Sequence, residues 1–170
     1  MDNEFIDKSE DIEEQITLIG YGTFIIRSAT GENIFKVVDT GLINNFVRIY
    51  HPKFAELGVF YPFAVPTKKN STLKALVYNV AVEDLQELDF YEGVPHLFER
   101  INCKVLLSDG EELQTQIYIP SKSTCEQLKE RLKFIMNTEE IKEMWEKDLW
   151  LKCLEEQYPL TKEIYPKLFK

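Results

Sequence analysis

Two short stretches carry residue types that could do chemistry. The first spans residues 82–100, VEDLQELDFYEGVPHLFER. In it Glu92 stands immediately before Gly93, with Pro95 two residues further on. Glycine accepts the left-handed backbone past a last helical turn, and proline bars the helix from resuming. A carboxyl group at that helix end faces outward-pointing carbonyls, whose partial negative charge disfavours the ionised form. Partial burial acts in the same direction and moves a glutamate towards the range where it can take and return a proton near neutral pH. A solvated surface glutamate fits the same spacing, so the local pattern alone leaves both readings open.

The second stretch is Gly20-Tyr21-Gly22-Thr23-Phe24. Two glycines let the backbone N–H groups of Gly22, Thr23 and Phe24 converge without Cβ clashes, which suits a carboxylate. A plain glycine turn has the same sequence. Other phosphate-binding readings fail: Ile25 occupies the third position of a G-x-G-x-x-G fingerprint, and no Gly-Lys-Ser/Thr follows for a P-loop.

The elements that must position these groups can be read from periodicity. Residues 15–20 (QITLIG) form a first strand with both faces partly apolar. Residues 24–36 hold a short helix or a loop. Residues 37–50 read as strand with Gly41 as a bulge or bend, and residues 59–65 as an extended piece held by Pro62 and Pro66. Residues 73–80 alternate as a strand with Leu73, Ala75 and Val77 on one face. Val82, Leu85, Leu88 and Tyr91 then form the apolar stripe of a short helix. Residues 98–107 and 112–119 flank Ser108-Asp109-Gly110, a hairpin signal.

From residue 122 the pattern turns helical. Leu128, Leu132, Ile135 and Met136 make one stripe; Ile141, Met144, Trp145, Leu149 and Leu151 make a second. Between them Asn137-Thr138 is a break, with Thr138 as the expected N-cap. Trp145 and Trp150 require burial, against the body of the protein or a partner chain. A homodimer through these helices is one arrangement the pattern allows. Residues after Pro159 read as a loosely docked tail.

Composition excludes several functions. Of the net charge of −9, most lies in residues 1–14, which hold seven acids and one lysine. That segment is expected to be an acidic, disordered tail. No basic patch exists to neutralise phosphates, so nucleic acid is not an expected partner. No apolar run approaches the roughly 20 residues of a membrane span. Three well-separated cysteines and two histidines offer no ligand spacing, so a metal is not expected. Reduced cysteines and an acidic start without signal-peptide character fit a cytoplasmic protein.

Leu88-Asp89-Phe90-Tyr91-Glu92-Gly93, followed by Phe98-Glu99-Arg100, resembles the LD-x-x-EG…Y-x-R pattern of the gamma-glutamylcyclotransferase-like family. Tyr21-Gly22-Thr23-Phe24 is similar to that family's Y-G-[ST]-[LN] signature. Residues 61–66 and 73–78 are similar to its "yPa-v-p … v-G-vY" region, with Ala75 at the glycine. The resemblance covers residues 15–120. It implies an α+β fold: a small mixed six-stranded β-barrel with one inserted helix, here with a helical extension over residues 121–170. It also implies release of 5-oxoproline from a small-molecule gamma-glutamyl substrate, with Glu92 catalytic and Tyr21, Gly22, Thr23, Phe24 and Tyr118 binding the substrate; that reaction needs no cofactor. Arg100 is read as structural. Phe98 stands where the family commonly has tyrosine, and Phe24 where it has leucine or asparagine; both substitutions bear on substrate range. A binding or interaction module on the same barrel, without catalysis, is the alternative.

Overall fold

A computed structural model describes residues 14–33 and 35–170. The expectation for the acidic N-terminal segment therefore lies, up to residue 13, outside the described residues. Among the described residues seven strands form: β1 (Gln15–Gly20), β2 (Lys36–Asn44), β3 (Phe46–Ile49), β4 (Phe63–Pro66), β5 (Thr72–Ala81), β6 (Phe98–Leu107) and β7 (Glu112–Pro120). Five of them close a barrel in the order β1-β5-β2-β6-β7, and β3 and β4 pair as a separate two-stranded ribbon. The barrel is thus five-stranded rather than six-stranded: the predicted strand over 37–50 is two strands, and the second of them, β3, takes the expected strand over 59–65 out of the barrel by pairing with β4. Asn45 separates them in the left-handed region, at φ 67°, a conformation that asparagine tolerates better than most residues.

Closure is mixed. Four of the five neighbouring pairs are antiparallel, and β1 meets β7 in parallel through Leu18 and Gln116. Ile19, Ile43, Leu73, Ala75, Val77, Val105 and Ile117 fill the interior. Gly41 is not the bulge of β2, which falls between Val37 and Asp39. Its role is clearance: a Cβ there would stand 2.2 Å from Val105 Cγ2.

Helix α1 (Thr23–Ala29) follows β1, and α2 (Leu85–Glu92) follows β5 after a 3-10 turn over Val82–Asp84. The expected stripe of α2 is only half right. Leu85 and Leu88 pack on Leu18, Tyr78 and Val80, whereas Tyr91 is 75% exposed. The helix is too short to bring three successive turns of one face onto the barrel.

The C-terminal segment holds α3 (Lys122–Ile135), α4 (Thr138–Glu146), α5 (Leu149–Gln157) and α6 (Pro159–Ile164). Asn137, not Thr138, caps α4. Its side chain accepts from Glu140 N while Glu140 returns a bond to Asn137 N, so the reciprocal capping box sits one residue earlier than expected. The second predicted stripe is broken at Asp148, which caps α5 by accepting from Leu151 N at 3.1 Å. Helices α3 and α4 pack on the β3–β4 ribbon through Leu132, Met136 and Met144. Helix α5 lays Trp150, Leu151 and Leu154 against Ile25 and Leu76.

Residues after Pro159 are not a loose tail. Leu168 is fully buried in the same cluster, and Tyr165 Oη lies 2.6 Å from Ser28 Oγ. Among the described residues, no helix is long and apolar enough to cross a membrane.

Candidate active site

The glycine corner sits between β1 and α1. Gly20 is there because Phe24 folds back over it: an added Cβ would stand 2.3 Å from Phe24 Cδ1. The Phe24 ring then stacks on Tyr78, with centroids 3.9 Å apart and planes 18° apart. Helix α1 begins at Thr23 with Gly22 as its N-cap, so the first N–H groups of the turn have no intrahelical acceptor.

Glu92 ends α2, and Gly93 follows at φ 70° with its N–H closing the turn. Burial raises the Glu92 carboxyl above the ordinary glutamate range. The helix end reasoned from sequence is in place, but desolvation is the cause that the structure supports.

Tyr21, Gly22, Thr23, Phe24, Glu92 and Tyr118 all line one hollow of about 290 Å³. The two stretches singled out in the sequence, some 70 residues apart, therefore face a shared space. Tyr61, Tyr78, Tyr91 and Phe98 complete its aromatic walls. A second hollow of about 400 Å³ adjoins it; Thr23, Phe24, Tyr78, Tyr91 and Glu92 belong to both. Glu92 thus stands at the junction.

Three phenols line the same hollow, and each is held above the ordinary tyrosine range. For Tyr21 and Tyr78 the main cause is burial, and the second is the charge of Glu92. For Tyr118 burial comes first, and its hydrogen bond to Asp89 adds to it. These groups are neutral hydroxyls throughout the physiological range.

A polar network fixes the frame. Tyr21 Oη donates to the Tyr118 carbonyl at 2.6 Å, and Tyr118 Oη donates to Asp89 Oδ1 at 2.7 Å. Arg100 grips the same carboxylate with two bonds, Nε at 2.8 Å and Nη2 at 3.0 Å, and reaches Gln116 as well. Arg100 is structural, and Asp89 is its partner. These bonds hold the Asp89 carboxyl below the ordinary aspartate range. Because Asp89 lies one helical turn before Glu92, anchoring it fixes the end of α2 that presents the acid.

Phe98, at the family's tyrosine position, stacks on Phe63 with centroids 6.0 Å apart. No hydroxyl is available there. Among the described residues, no three His, Cys, Asp or Glu side chains gather as a metal site. The three cysteines are free and half-buried, and burial pushes the Cys103 thiol up to about 11.

Sequence reasoning did not assign Tyr78, Tyr91 or Arg48 to the site. Tyr78 could have been found from the strand alternation, since it faces opposite to Val77. Arg48 could have been suspected as a lone cation inside the apolar run Phe46-Val47-Arg48-Ile49-Tyr50.

The closed mixed barrel thus places a carboxyl group and a glycine corner on one hollow. Residues 21–142 match the family described as "Gamma-glutamyl cyclotransferase, AIG2-like", and the chain belongs to that family. Among curated proteins it is similar to AIG2-like protein D of Arabidopsis thaliana, 33% identical over 72 residues. That match covers 41% of this chain and 46% of the relative, so it spans about half of the relative's length. Among solved structures, one described as a gamma-glutamyl cyclotransferase superposes with TM-score 0.52 at 14% identity, covering 64% of this chain and 68% of the other. A solution structure of an Arabidopsis thaliana protein gives TM-score 0.51 at 20% identity, over 75% and 90% of the two chains. At these identities the structural likenesses show the fold.

Proposed function

We propose that the protein releases 5-oxoproline from a small gamma-glutamyl conjugate, with Glu92 carrying the proton. The observation that carries this reading is the shared hollow, in which a half-buried carboxyl group, raised by desolvation, faces the corner of Tyr21, Gly22, Thr23 and Phe24. The substrate's own α-amine is the nucleophile. Its nitrogen attacks the γ-carbonyl carbon, a C–N bond forms within the five-membered ring, and the C–N bond to the leaving amine breaks. Glu92 takes a proton from the attacking ammonium and returns it to the departing nitrogen, so the protein ends as it began.

Because the nucleophile is tethered to its electrophile, the protein's task is to hold the folded-back conformer and exclude water. The N–H groups of Gly22, Thr23 and Phe24 hold the substrate's α-carboxylate. The stacked Phe24 and Tyr78 rings and Tyr118 shape the space for the glutamyl carbons. The adjoining hollow, entered past Glu92, receives the leaving group. No cofactor is needed for this chemistry. The free thiols suit a reducing compartment such as the cytoplasm.

The test is Glu92→Gln, which keeps shape and removes the transferable proton. Turnover of a panel of gamma-glutamyl conjugates, followed as 5-oxoproline, is expected to fall about 10²–10⁴-fold with the fold intact. Full turnover by the variant would remove Glu92 from the mechanism.

A further inference from the structure

Arg48 is 2% exposed, and each arm of its guanidinium is used. Nε donates to the Tyr21 carbonyl at 2.9 Å. Nη2 donates to the Lys74 carbonyl of β5, and Nη1 pairs with the Asp148 carboxylate. The ring of Trp150 lies beneath it, 5.6 Å from Cζ to centroid. Asp148 and Trp150 belong to the start of α5, beyond residue 142 where the family match ends. A segment outside the matched region therefore reaches, through one buried arginine, the backbone of the corner.

The Tyr21 carbonyl and the Gly22 N–H belong to the same peptide unit. That unit is planar, and in the trans form the two bonds point in opposite directions. Fixing the carbonyl oxygen therefore fixes the direction of the Gly22 N–H, and Gly22 lines the hollow. Tyr21 is also held at its other end, since its hydroxyl donates to the Tyr118 carbonyl. Rotation of the Tyr21–Gly22 peptide would break the Arg48 bond and leave a buried guanidinium nitrogen unpaired, which is costly.

We infer that Arg48 and Asp148 are positioning residues: the C-terminal helix α5, acting through the Asp148–Arg48 pair, sets the orientation of the Tyr21–Gly22 peptide that holds the substrate. This inference rests on the proposed function for its substrate, but not for its geometry. Removing the Asp148 charge loosens the guanidinium without touching the hollow, so substrate binding is affected and the proton transfer at Glu92 is not.

The test uses the full chain carrying Asp148→Asn. Asparagine caps helices as well as aspartate, so α5 keeps its start while the charge is lost. Three quantities are measured: the ¹⁵N amide resonance of Gly22, KM and kcat for 5-oxoproline release from gamma-glutamyl conjugates of alanine and of the lysine side-chain amine, and the unfolding midpoint. The Gly22 resonance is expected to move, KM to rise on the order of tenfold, as for loss of a charge-assisted hydrogen bond, and kcat to hold within about twofold. Asp148→Glu should recover most of the KM. Glu155→Gln, which breaks the exposed pair with Lys162 in the same extension, should change none of these.

An unfolding midpoint that falls while the Gly22 resonance and KM stay in place overturns the inference and leaves the pair as a fold clamp. A resonance that moves in an active enzyme with unchanged KM overturns it too. If the unaltered protein releases no 5-oxoproline from either conjugate, it is the proposed function that fails; the Gly22 resonance alone then decides whether Asp148 sets the corner.

Discussion

Gly20→Ala is the smallest change that should disturb the corner. The added methyl would lie 2.3 Å from Phe24 Cδ1, 2.9 Å from Cγ and 3.1 Å from Cε1. Carbon atoms rest at about 3.5–4 Å, so the ring must withdraw by more than about 1 Å. Its withdrawal is resisted by the stack on Tyr78, with centroids 3.9 Å apart. Either the stack opens or the turn between β1 and α1 shifts. Overpacking of this kind costs about 1–3 kcal/mol, and loss of the aromatic pair adds about 0.5–1.5 kcal/mol. The assay is urea unfolding of four proteins: unaltered, Gly20→Ala, Phe24→Leu, and both together. Leucine, which the resembled family uses at this position, is smaller and not planar, so the double variant should recover at least about 1 kcal/mol relative to additivity. Because Phe24 walls the hollow, the single Gly20 variant should also lose affinity for the substrate. An alanine protein as stable as the original, or two costs that simply add, would show that the ring over Gly20 does not set this corner.

Two further outcomes follow from charge. The folded-state pKa of Glu92 is raised by burial, so its stabilising contribution is full below the ordinary glutamate value of about 4.3 and is lost as pH rises through the folded value. Glu92→Gln stays neutral throughout, so its stability relative to the original protein should improve as pH rises from about 4 to 8; a gap constant across that range in urea unfolding would refute the burial argument. Asp89 is shifted the other way by Arg100, so its contribution is present above the ordinary aspartate value of about 3.9 and is lost as pH falls through the folded value. Asp89→Asn should cost about 1–3 kcal/mol at pH 7 and flatten the acid limb of the stability profile; an acid limb that stays unchanged in thermal scans would show that the Arg100 grip contributes nothing.

The parts of the site that depend on local sequence were legible. Strands β1 and β6 have the limits read from alternation, and Gly93 stops α2 where a glycine should. The family motifs brought the corner and Glu92 together on one hollow, which no local pattern could have done. What stayed hidden depends on distant partners or on single dihedral angles. Gly41 looked like a bulge because a strand glycine usually marks one, but only the position of Val105 reveals its purpose. Residues 37–50 looked like one strand because a left-handed asparagine breaks hydrophobic alternation without leaving a proline or glycine to announce it.

The extension shows the same limit most clearly. Its stripes predicted helices that need cover, yet stripes cannot say what is covered. Trp150, Leu151 and Leu154 settle on Ile25 and Leu76, and so hold α1 and β5 together from outside. Arg48, in β3, would be an unpaired buried cation without Asp148, which lies 100 residues later. A lone charge in an apolar strand is therefore a signal with physical content: it demands a partner, and here the partner comes from a segment packed outside the barrel. That demand ties the glycine corner to helix α5, and it makes residues 148–150 as much a part of the candidate site's construction as the motifs that first drew notice to it.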